Sequence, residues 1–430
     1  MKRKIAFRTL GCRLNQFETD SLLNDFYNAG YEIVGFNDKA DVYIINTCTV
    51  TNQGDHKSKT YINKAARNAN GSLVIVTGCM ATSKKEYLEN RDDIAYVVEN
   101  RNKSQVLPLV EAHFNGELLH PSDLKQDLFN FTIAQKSFHT RSMIKIQDGC
   151  DNFCTYCIVP SVRGRAVSRP VKDILHHIQQ VVTLGYKEVV LTGVNISRYN
   201  FDGVSFEVLV EKILDLPGDF RLRISSIEPE GLGDRFFDLF SHEKLCPHLH
   251  LCLQSGSDRV LDKMKRTNTV GEYYAIIEKL YDKQPFFNFT TDIIVGFPGE
   301  TDRDFDETCR VVQDIGFSHV HTFKYSVRKG TRAEKMPDQI SEKIKKQRSE
   351  FIRKLAKENK RIYYSRFIGE EQTVLVEKVT RPGYAKGFGQ HYLPVEFRSE
   401  REGNNYFADV MIKEIITTTH TCVLRGERKE

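Results

Sequence analysis

The first hundred residues alternate between short apolar runs and segments whose apolar residues recur at helical spacing. Runs rich in β-branched and aromatic residues begin at Lys4, Asp41 and Ser72, and a segment with apolar positions three and four residues apart follows the first two. Strands that alternate with helices predict βαβ units and a parallel sheet. In such a sheet, ligands bind just beyond the carboxyl ends of the strands.

Each of these three predicted strands ends close to a cysteine, namely Cys12, Cys48 or Cys79, and two of these cysteines directly follow glycine. Because parallel strands end at the same edge of a sheet, we expect the three thiols to converge. Three thiols are one ligand short of a closed tetrahedral metal site. The alternative is three unrelated buried thiols, since free cysteine is commonly buried.

The same alternation resumes at Ser142 and continues to Tyr325. The predicted strands are residues 142–146, 188–191, 221–225, 248–253, 288–295 and 319–325. The predicted helices between them include residues 171–184, 206–214, 271–280 and 304–315. Six βα units predict an incomplete (β/α)6 barrel, a fold that builds its active sites at the carboxyl-end face.

The loop after the first central strand holds Cys150, Cys154 and Cys157 in a C-x3-C-x2-C spacing. A zinc site of this kind needs a second pair of ligands about a dozen residues later, whereas the next cysteine is Cys246. Three thiolates on one loop fit an iron–sulfur cluster that keeps one iron free of protein. An open metal position is a place where a small molecule can bind. A zinc knuckle or a chance cluster of cysteines is the alternative.

Several other central strand ends carry glycine or a polar residue. Glycine lets a ligand approach the backbone closely, and amide or hydroxyl groups can bind a polar cofactor, although ordinary turns use the same residues. The candidates are Gly193, Asn195, Ser225, Gln254 and Gly296. Beyond the cysteine loop, Arg163 and Arg165 suit phosphate or carboxylate recognition, with a solvated basic loop as the alternative.

Residues 341–366 have the pattern of an amphipathic helix, with ten Lys or Arg against three Glu. The apolar residues Ile344, Phe351, Leu355 and Ile362 recur at four- and seven-residue steps. This spacing predicts a helix that packs through these four residues and turns a basic face outward. Because a change of fold class follows it, a basic face of this kind suits contact with RNA, with a merely solvated face as the alternative.

Short β-rich segments follow Gly369, at residues 372–377, 392–397, 406–413 and 420–426. They predict a small antiparallel β-barrel of a kind that often binds RNA, with a plain structural barrel as the alternative. Lys378, Arg381 and Lys386 lie between these segments and suit phosphate contacts. The α/β chain is therefore divided into three domains, at residues 1–115, 138–366 and 367–430.

Charge, hydropathy and cysteine content indicate the cellular compartment. A net charge of +5 permits a nucleic-acid partner without requiring one. No run approaches the roughly eighteen apolar residues of a membrane span, and Met1-Lys-Arg-Lys is not followed by the apolar core of a signal peptide. We therefore expect a cytoplasmic protein with no membrane partner, in which the ten cysteines stay reduced and serve as metal ligands or buried thiols.

With both cysteine triads present, the chain resembles the radical S-adenosylmethionine (SAM) methylthiotransferases over essentially its full length. The C-x3-C-x2-C loop alone is typical of the whole radical SAM superfamily, and the upstream triad and a tail similar to a TRAM domain narrow the resemblance. The stretches Thr9-Leu-Gly-Cys-Arg-Leu-Asn-Gln16 and Lys145-Ile-Gln-Asp-Gly-Cys150 look most like the branch that acts on threonylcarbamoyladenosine in tRNA. Leu14 stands where the isopentenyladenosine branch typically has Met and the ribosomal-protein branch has Lys.

The resemblance implies two [4Fe–4S] clusters. The radical-generating cluster would be held by Cys150, Cys154 and Cys157 and would bind SAM at its open iron. The auxiliary cluster, which handles sulfur, would be held by Cys12, Cys48 and Cys79. The polar and glycine residues at the other strand ends would contact SAM, and the chemistry would need no side-chain acid or base.

The resemblance also implies the reaction and its partners. Sulfur and a methyl group would be inserted at C2 of N6-threonylcarbamoyladenosine beside the anticodon, converting t6A to ms2t6A. The basic residues of the loop and tail would hold the anticodon stem-loop of tRNA, and flavodoxin or ferredoxin would supply single electrons. The alternatives are methylthiolation of isopentenyladenosine or of a ribosomal-protein aspartate, and a non-catalytic iron–sulfur or zinc protein that binds RNA.

Overall fold

A computed structural model describes residues 2–68, 71–131, 140–381, 383–418 and 421–429. The strands in chain order are β1 Lys4–Thr9, β2 Glu32–Val34, β3 Val42–Thr47, β4 Leu73–Gly78, β5 Tyr96–Val98, β6 Arg141–Lys145, β7 Gln147–Asp148, β8 Val167–Ser168, β9 Glu188–Thr192, β10 Asn200–Phe201, β11 Val204–Ser205, β12 Arg221–Ile224, β13 Ser226–Ile227, β14 His248–Leu251, β15 Asn288–Val295, β16 His319–Lys324, β17 Glu371–Arg381, β18 Tyr384–Phe388, β19 Pro394–Arg398, β20 Phe407–Thr417 and β21 Cys422–Arg428. The α-helices are α1 Arg13–Asn28, α2 Asn52–Asn68, α3 Cys79–Ser83, α4 Lys85–Glu89, α5 Val106–Phe114, α6 Val159–Arg163, α7 Val171–Thr183, α8 Phe206–Leu214, α9 Asp234–Asp238, α10 Asp258–Lys263, α11 Val270–Lys283, α12 Asp302–Ile315 and α13 Glu342–Ser365.

The chain forms two compact units whose boundaries do not follow the order of the sequence. The first unit comprises Met1–Phe138, Gln147–Arg169 and Ser326–Glu334. The second comprises His139–Ile146, Pro170–Tyr325 and Lys335–Glu430. Both cysteine triads therefore belong to the first unit, and the central strands and the small barrel belong to the second.

The first unit is built on a parallel five-stranded sheet in the order β2-β1-β3-β4-β5. Every residue of β3 and β4 is buried, as expected for a parallel sheet that is covered on both faces. Leu22 and Phe26 of α1 pack on one face, in the same core as Leu109 of α5. Ile62 and Ala65 of α2 pack on the other face. The predicted parallel α/β arrangement is confirmed.

The second unit contains the predicted central strands. One parallel sheet has the order β12-β9-β6, and the other has the order β13-β14-β15-β16. β13 continues β12 after a break at Ser225, so the two sheets give six successive βα steps. The observed β15 has the predicted bounds, and the prediction of a partial (β/α)6 barrel is confirmed.

The five strands of the tail close into a small barrel in the order β17-β18-β19-β21-β20. All neighbouring pairs are antiparallel except β19 and β21, which are parallel. The sequence pattern misses β18, because Gly387 interrupts its apolar alternation. A Cβ at Gly387 would lie 1.9 Å from the carbonyl oxygen of Leu375, so close strand contact requires glycine there. His420, in the last predicted strand, lies outside the described residues.

The long helix α13 forms as predicted, but the prediction of its buried face is wrong. Ile344, Phe351 and Ile362 are 39%, 54% and 53% exposed. The residues that α13 buries include Lys345, Arg348, Ile352, Ala356 and Tyr363. None of the helices in the described part of the chain combines the length and the apolar character that a membrane crossing requires.

Ion pairs explain why this buried face is polar. The guanidinium of Arg348 donates to Glu300 at 2.5 Å and to Asp302 at 2.7 Å, and Lys345 binds Glu342 at 3.0 Å. A hydrophobic periodicity cannot reveal a face that is buried through charge pairs, because the burial of Arg348 depends on acids outside the helix.

A buried ion network joins the central strands to the small barrel. The carboxylate of Glu188 binds Arg221 at 2.6 Å, Arg223 at 2.8 Å and Arg141 at 3.1 Å. Arg221 also donates to the carbonyl oxygens of Thr373 at 2.8 Å and Phe388 at 2.9 Å. Because β6, β9 and β12 begin at these charged residues, the small barrel packs against the amino ends of the central strands.

Burial alone would raise the pKa of the Glu188 carboxyl. The guanidiniums of Arg223, Arg221 and Arg141 outweigh burial and hold that pKa well below its usual range. The carboxylate therefore stays ionised in the folded protein at neutral pH.

We expect Glu188→Ala to lower the free energy of unfolding by about 3–5 kcal/mol, because it leaves the buried guanidiniums of Arg221 and Arg223 without their counter-charge. Chemical denaturation measures this loss. Since the folded pKa is depressed, the contribution of Glu188 is fully present above the unfolded pKa of roughly 4.3 and is lost as pH falls towards the folded value. The gap between wild type and variant should therefore narrow only below about pH 4.

Glu211→Ala is the matched control, since its partner Arg235 is exposed. Removal of this surface pair should lower the free energy of unfolding by about 1 kcal/mol or less. Equal losses in the two variants would contradict the role given to the buried network.

Candidate metal centres

The three N-terminal cysteines follow neighbouring strands of the five-stranded sheet. Cys12 follows β1 and caps α1, whereas Cys48 and Cys79 come directly after β3 and β4. Because β1, β3 and β4 are adjacent and parallel, the three residues lie at one edge of the sheet. Cys12 is exposed, Cys48 is half-buried and Cys79 is buried. The structure thus brings together the three positions named from the sequence.

Two glycines explain the close approach of these strand ends. Gly11 has φ +97°, and a Cβ there would lie 2.8 Å from Cβ and 3.0 Å from Sγ of Cys48. Gly78 has φ +96°, and a Cβ there would lie 2.5 Å from the carbonyl oxygen of Thr47. Each glycine adopts a conformation that L side chains rarely adopt, and each leaves no room for a side chain.

The thiols influence one another electrostatically. Burial raises the pKa of Cys48 to about 11, and the neighbouring Cys79, Cys12 and Asp55 act in the same direction. Burial also raises the pKa of Cys79, although Arg163 opposes the shift. Metal ligation requires thiolates, and a cationic iron–sulfur core supplies the positive charge that three adjacent thiolates need. The donor set therefore fits a metal cluster.

The other triad lies in the loop between β7 and α6. Its members are Cys150, Cys154 and Cys157, all of them half-buried. The N–H of Cys157 donates to the carbonyl oxygen of Cys154 at 3.0 Å. Phe153 has φ +49° and Gly149 has φ +71°, so the chain turns sharply on both sides of the first cysteine. Backbone conformation thus holds three accessible thiols on one short loop.

A buried polar network connects the segments that carry the two triads. The guanidinium of Arg163, at the end of α6, donates to Glu18 at 3.0 and 3.1 Å and to Asp148 at 3.0 and 3.1 Å. It also donates to the side-chain oxygen of Asn15 at 2.6 Å. Glu18 in turn accepts from the ammonium of Lys103 at 2.5 Å. All five residues are buried.

A second contact between the same segments involves a cysteine itself. The amide of Asn100 donates to Sγ of Cys79 at 3.7 Å and to the carbonyl oxygen of Val162 at 2.9 Å. Val162 immediately precedes Arg163 in α6. The sequence gives no signal for Asn100, because its partners are far away along the chain.

The prediction that Arg163 recognises phosphate is wrong. Its side chain is only 3% exposed, and its guanidinium already binds three side chains. Arg165 has an exposed side chain and binds Asp151 at 2.5 Å. Two arginines that lie two residues apart in one basic motif therefore have opposite environments, which the sequence does not distinguish.

A second buried arginine, Arg328, fixes the segment that follows Cys48. It donates to the carbonyl oxygen of Thr49 at 3.1 Å, to Asp55 at 2.9 Å and to the side-chain oxygen of Asn52. Arg328 lies in Ser326–Glu334, which belongs to the first unit. The sequence pattern does not single it out.

The residues predicted to contact a polar cofactor lie at or just beyond the carboxyl ends of the central strands. They are Gly193 and Asn195 after β9, Ser225 after β12, Gln254 after β14 and Gly296 after β15. Gln254 has φ +70°, and its N–H and carbonyl bond to the Asp292 carbonyl and the Ile294 N–H, each at 2.9 Å. Gly296 has φ +73°, and its N–H donates to Glu300 at 2.6 Å. Their positions agree with the sequence prediction, and their contacts to a cofactor stay a prediction.

Polar side chains on β14, just after β14 and on β15 form a further cluster of possible ligand atoms. Nε2 of His250 lies 3.1 Å from Oδ1 of Asp292, and Nδ1 of His250 lies 3.0 Å from the hydroxyl of Thr290. The ligand atoms of His250, Cys252 and Asp292 lie within 4.8 Å of one another. The alternation of His248, His250 and Cys252 is the sequence signal, because alternate residues of a strand share one face.

Two of the three basic residues predicted in the small barrel can be described. Lys378 on β17 is exposed, and Lys386 on β18 binds Glu396 at 2.9 Å while remaining 42% exposed. The side chain of Arg381 lies outside the described part of the chain.

The chain matches two family descriptions, "Radical SAM superfamily" over residues 144–312 and "Uncharacterized protein family UPF0004" over residues 4–99. A threonylcarbamoyladenosine tRNA methylthiotransferase MtaB of Aquifex aeolicus is 37% identical over 88% of this chain and 94% of its own length. Its counterpart in Thermotoga maritima is 36% identical over 96% and 95%. A tRNA-2-methylthio-N(6)-dimethylallyladenosine synthase of Fusobacterium nucleatum is 35% identical over 97% and 98%.

Among solved structures, the radical SAM methyltransferase TsrM of Kitasatospora setae superposes with a TM-score of 0.56 at 13% identity. The match covers 78% of this chain and 77% of TsrM, and it supports the fold.

Each of the two family matches contains one of the two cysteine triads. The first includes the loop with Cys150 and the central strands from β9 to β15, and the second includes the sheet with Cys12, Cys48 and Cys79. The expected cofactors, two [4Fe–4S] clusters and SAM, are confirmed at the level of the family. Full-length relatives of this identity, together with both domain matches, establish that the chain belongs to the radical SAM methylthiotransferase family.

Proposed function

We propose that this chain inserts sulfur and a methyl group at C2 of N6-threonylcarbamoyladenosine in tRNA, beside the anticodon. The observation that carries the proposal is the presence of two three-cysteine sites in one compact unit. The relatives from Aquifex aeolicus and Thermotoga maritima are named for this substrate, and Leu14 supports the same branch. Dimethylallyladenosine in tRNA is the second candidate, because the Fusobacterium nucleatum relative is named for it.

The residues of the chain would hold the cofactors and would not act as acids or bases. Cys150, Cys154 and Cys157 would hold one cluster with an iron open to SAM. Cys12, Cys48 and Cys79 would hold the auxiliary cluster. When bound, SAM and the clusters supply radical formation, sulfur and the methyl group. Gly193, Asn195, Ser225, Gln254 and Gly296 are the candidates for contacts with SAM.

The second unit offers an extended basic surface for RNA. The 24 residues of α13 span about 36 Å at the usual rise per residue. Near its start, Glu342 binds Lys324 at the carboxyl end of β16 at 2.9 Å. Near its end, Tyr363 and Tyr364 lie in the core of the small barrel. Exposed basic residues along one face of the helix include Lys343, Lys346, Arg353, Lys354 and Lys357.

This surface runs from the small barrel to the carboxyl-end face of the central strands. A tRNA stem that contacts Lys378, Arg381 and Lys386 could therefore follow α13 towards the strand ends. Arg165, on the cysteine loop of the first unit, is a separate candidate for a phosphate contact. Enzymes that modify a base in RNA act on bases that are unstacked from their neighbours. We assign residues 1–115 to the auxiliary cluster, 138–366 to the radical SAM core and 367–430 to RNA binding.

The proposal places the protein in the cytoplasm, where tRNA and reduced thiols occur together. A small redox protein such as flavodoxin or ferredoxin would supply single electrons to the clusters.

Mass spectrometry of nucleosides from tRNA tests the substrate. In a host that lacks its own enzyme, expression of this chain should convert t6A to ms2t6A. Methylthiolated isopentenyladenosine would instead assign the chain to the second branch. The absence of both products would contradict the proposed function.

Substitutions in the two triads should separate cleavage of SAM from formation of the methylthio product. After anaerobic reconstitution, Cys154→Ala should abolish release of 5′-deoxyadenosine, because it removes a ligand of the radical-generating cluster. Cys48→Ala should keep deoxyadenosine release and lose the methylthio product. Liquid chromatography with mass spectrometry measures both products.

Cys422→Ala is the control for loss of a half-buried thiol, and it should leave both products unchanged. Wild-type protein should hold about eight iron atoms, as two [4Fe–4S] clusters require. Methylthio product from Cys48→Ala would overturn the two-cluster assignment. Two bound zinc ions without SAM turnover would favour the non-catalytic RNA-binding alternative.

Charge reversal should weaken RNA binding in a salt-dependent way. Lys357→Glu and Lys378→Glu should each lower tRNA affinity, and each should reduce the slope of log affinity against log salt by about 1. Lys279→Glu on α11 is the control, because this exposed lysine binds Asp234 and is not part of the basic surface. Unchanged slopes in the first two variants would remove α13 and the small barrel from the RNA site.

A further inference from the structure

The guanidinium of Arg163 lies at the centre of contacts that lead to both cysteine triads. On one side it binds Asp148, whose Oδ1 also accepts the N–H of Gly149 at 2.7 Å. Gly149 immediately precedes Cys150. Arg163 therefore reaches the start of the radical-generating loop through a single carboxylate.

On the other side Arg163 binds the side-chain oxygen of Asn15 at 2.6 Å. The amide nitrogen of Asn15 donates to the carbonyl oxygens of Leu10 at 2.8 Å and Thr47 at 3.0 Å. Leu10 precedes Cys12 by two residues, and Thr47 directly precedes Cys48. A single amide thus connects Arg163 to the backbone beside two members of the auxiliary triad.

The third member is reached from the adjacent residue. The backbone carbonyl of Val162 accepts from Asn100, whose amide also contacts Sγ of Cys79. Contacts from residues 162 and 163 therefore extend to all three auxiliary cysteines or to the backbone close to them.

The charges of this network are balanced and buried. Arg163 and Lys103 face the carboxylates of Glu18 and Asp148. Burial of ions is expensive, and an apolar core would stabilise the fold at least as well. A network of this kind is better explained by geometry, because a planar guanidinium with several fixed partners defines the positions of those partners.

We propose that Arg163 is a positioning residue that fixes the two cysteine loops relative to one another, and thereby couples radical formation to sulfur insertion. This inference rests on the proposed function. A reactive carbon centre must meet its sulfur donor before another reaction consumes it, so the spacing of the two loops governs how much SAM cleavage is productive. Displacements of about 1 Å can lower the rate of a positioned reaction by about a hundredfold.

Arg163→Lys tests the proposal. An ammonium cannot provide the parallel contacts that the guanidinium makes to Glu18, Asp148 and Asn15. We expect 5′-deoxyadenosine release to stay within about twofold of wild type, while methylthio product per deoxyadenosine falls about tenfold. In the doubly reduced protein, the spin–spin interaction between the clusters should change, as electron paramagnetic resonance can measure.

Hydrogen exchange in the apoprotein tests the same contacts without any cluster. In apoprotein, hydrogen exchange of residues 147–165 should be faster in Arg163→Lys than in wild type, because the contacts of Arg163 are made by the chain itself. Arg91→Lys is the matched control, since Arg91 belongs to the same unit and its guanidinium binds Asp93 and Asn63. This control should leave product ratio, spin–spin interaction and exchange unchanged.

The double variant Glu18→Gln/Arg163→Gln separates positioning from charge balance. It removes one positive and one negative charge, so the net charge of the network is unchanged. Continued loss of coupling in the double variant supports positioning, whereas recovery of the wild-type product ratio would overturn it. The positioning role would also be overturned if Arg163→Lys showed the same product ratio and the same spin–spin interaction as wild type.

The outcomes also distinguish this inference from the proposed function. If wild-type protein forms no methylthio product on tRNA, the proposed function fails. Hydrogen exchange and the spin–spin interaction still decide whether Arg163 fixes the two loops.

Discussion

Parallel strands all end at the same edge of their sheet, and this constraint governs where the chain carries its chemistry. In the first unit it places Cys12, Cys48 and Cys79 together, although long segments of sequence separate them. In the second unit it brings the candidate SAM residues to the carboxyl ends of the central strands. In the first unit β3 and β4 are buried throughout, so the loops that follow them can carry reactive groups without weakening the core.

Two buried arginine networks, one in each unit, have different roles. Glu188 and its three arginines lie at the amino ends of the central strands and hold the small barrel. Arg163 and its acidic partners lie among the cysteine loops. In each network the buried charges have direct counter-charges, which offsets the desolvation that makes isolated buried ions so unfavourable. The first network acts on stability, and the second acts on the geometry of the proposed site.

The sequence predicts features that depend on local pattern. Alternating apolar runs locate the strands, and cysteines at the ends of those runs locate both triads. The same reasoning misjudges Arg163 and the buried face of α13. Their burial depends on acids distant in the chain, namely Glu18 for Arg163 and Glu300 for Arg348. A basic residue in a loop or on a helix is normally exposed, and only tertiary contacts reverse that expectation.

β18 is missed for a related reason, because Gly387 marks the close approach of a neighbouring strand and not a turn. Strand pairing is a property of two segments, and the sequence of one segment records it only through such exceptions. Asn100 and Arg328 illustrate the same limit at the site, since each acts between segments that are far apart in the chain.

The raised pKa values of Cys48 and Cys79 and the arginine contacts around these residues have a joint consequence for cluster assembly. Burial raises the pKa of Cys48 to about 11, so ligation of iron must displace a proton from a thiol that holds it tightly at neutral pH. In small zinc domains, metal binding must also supply the free energy of folding. Here Arg163 and Arg328 hold the loops through contacts made by the protein itself. The free energy of cluster binding is therefore available to ionise the thiols, because the fold is already stabilised by its sheet and its buried ion pairs.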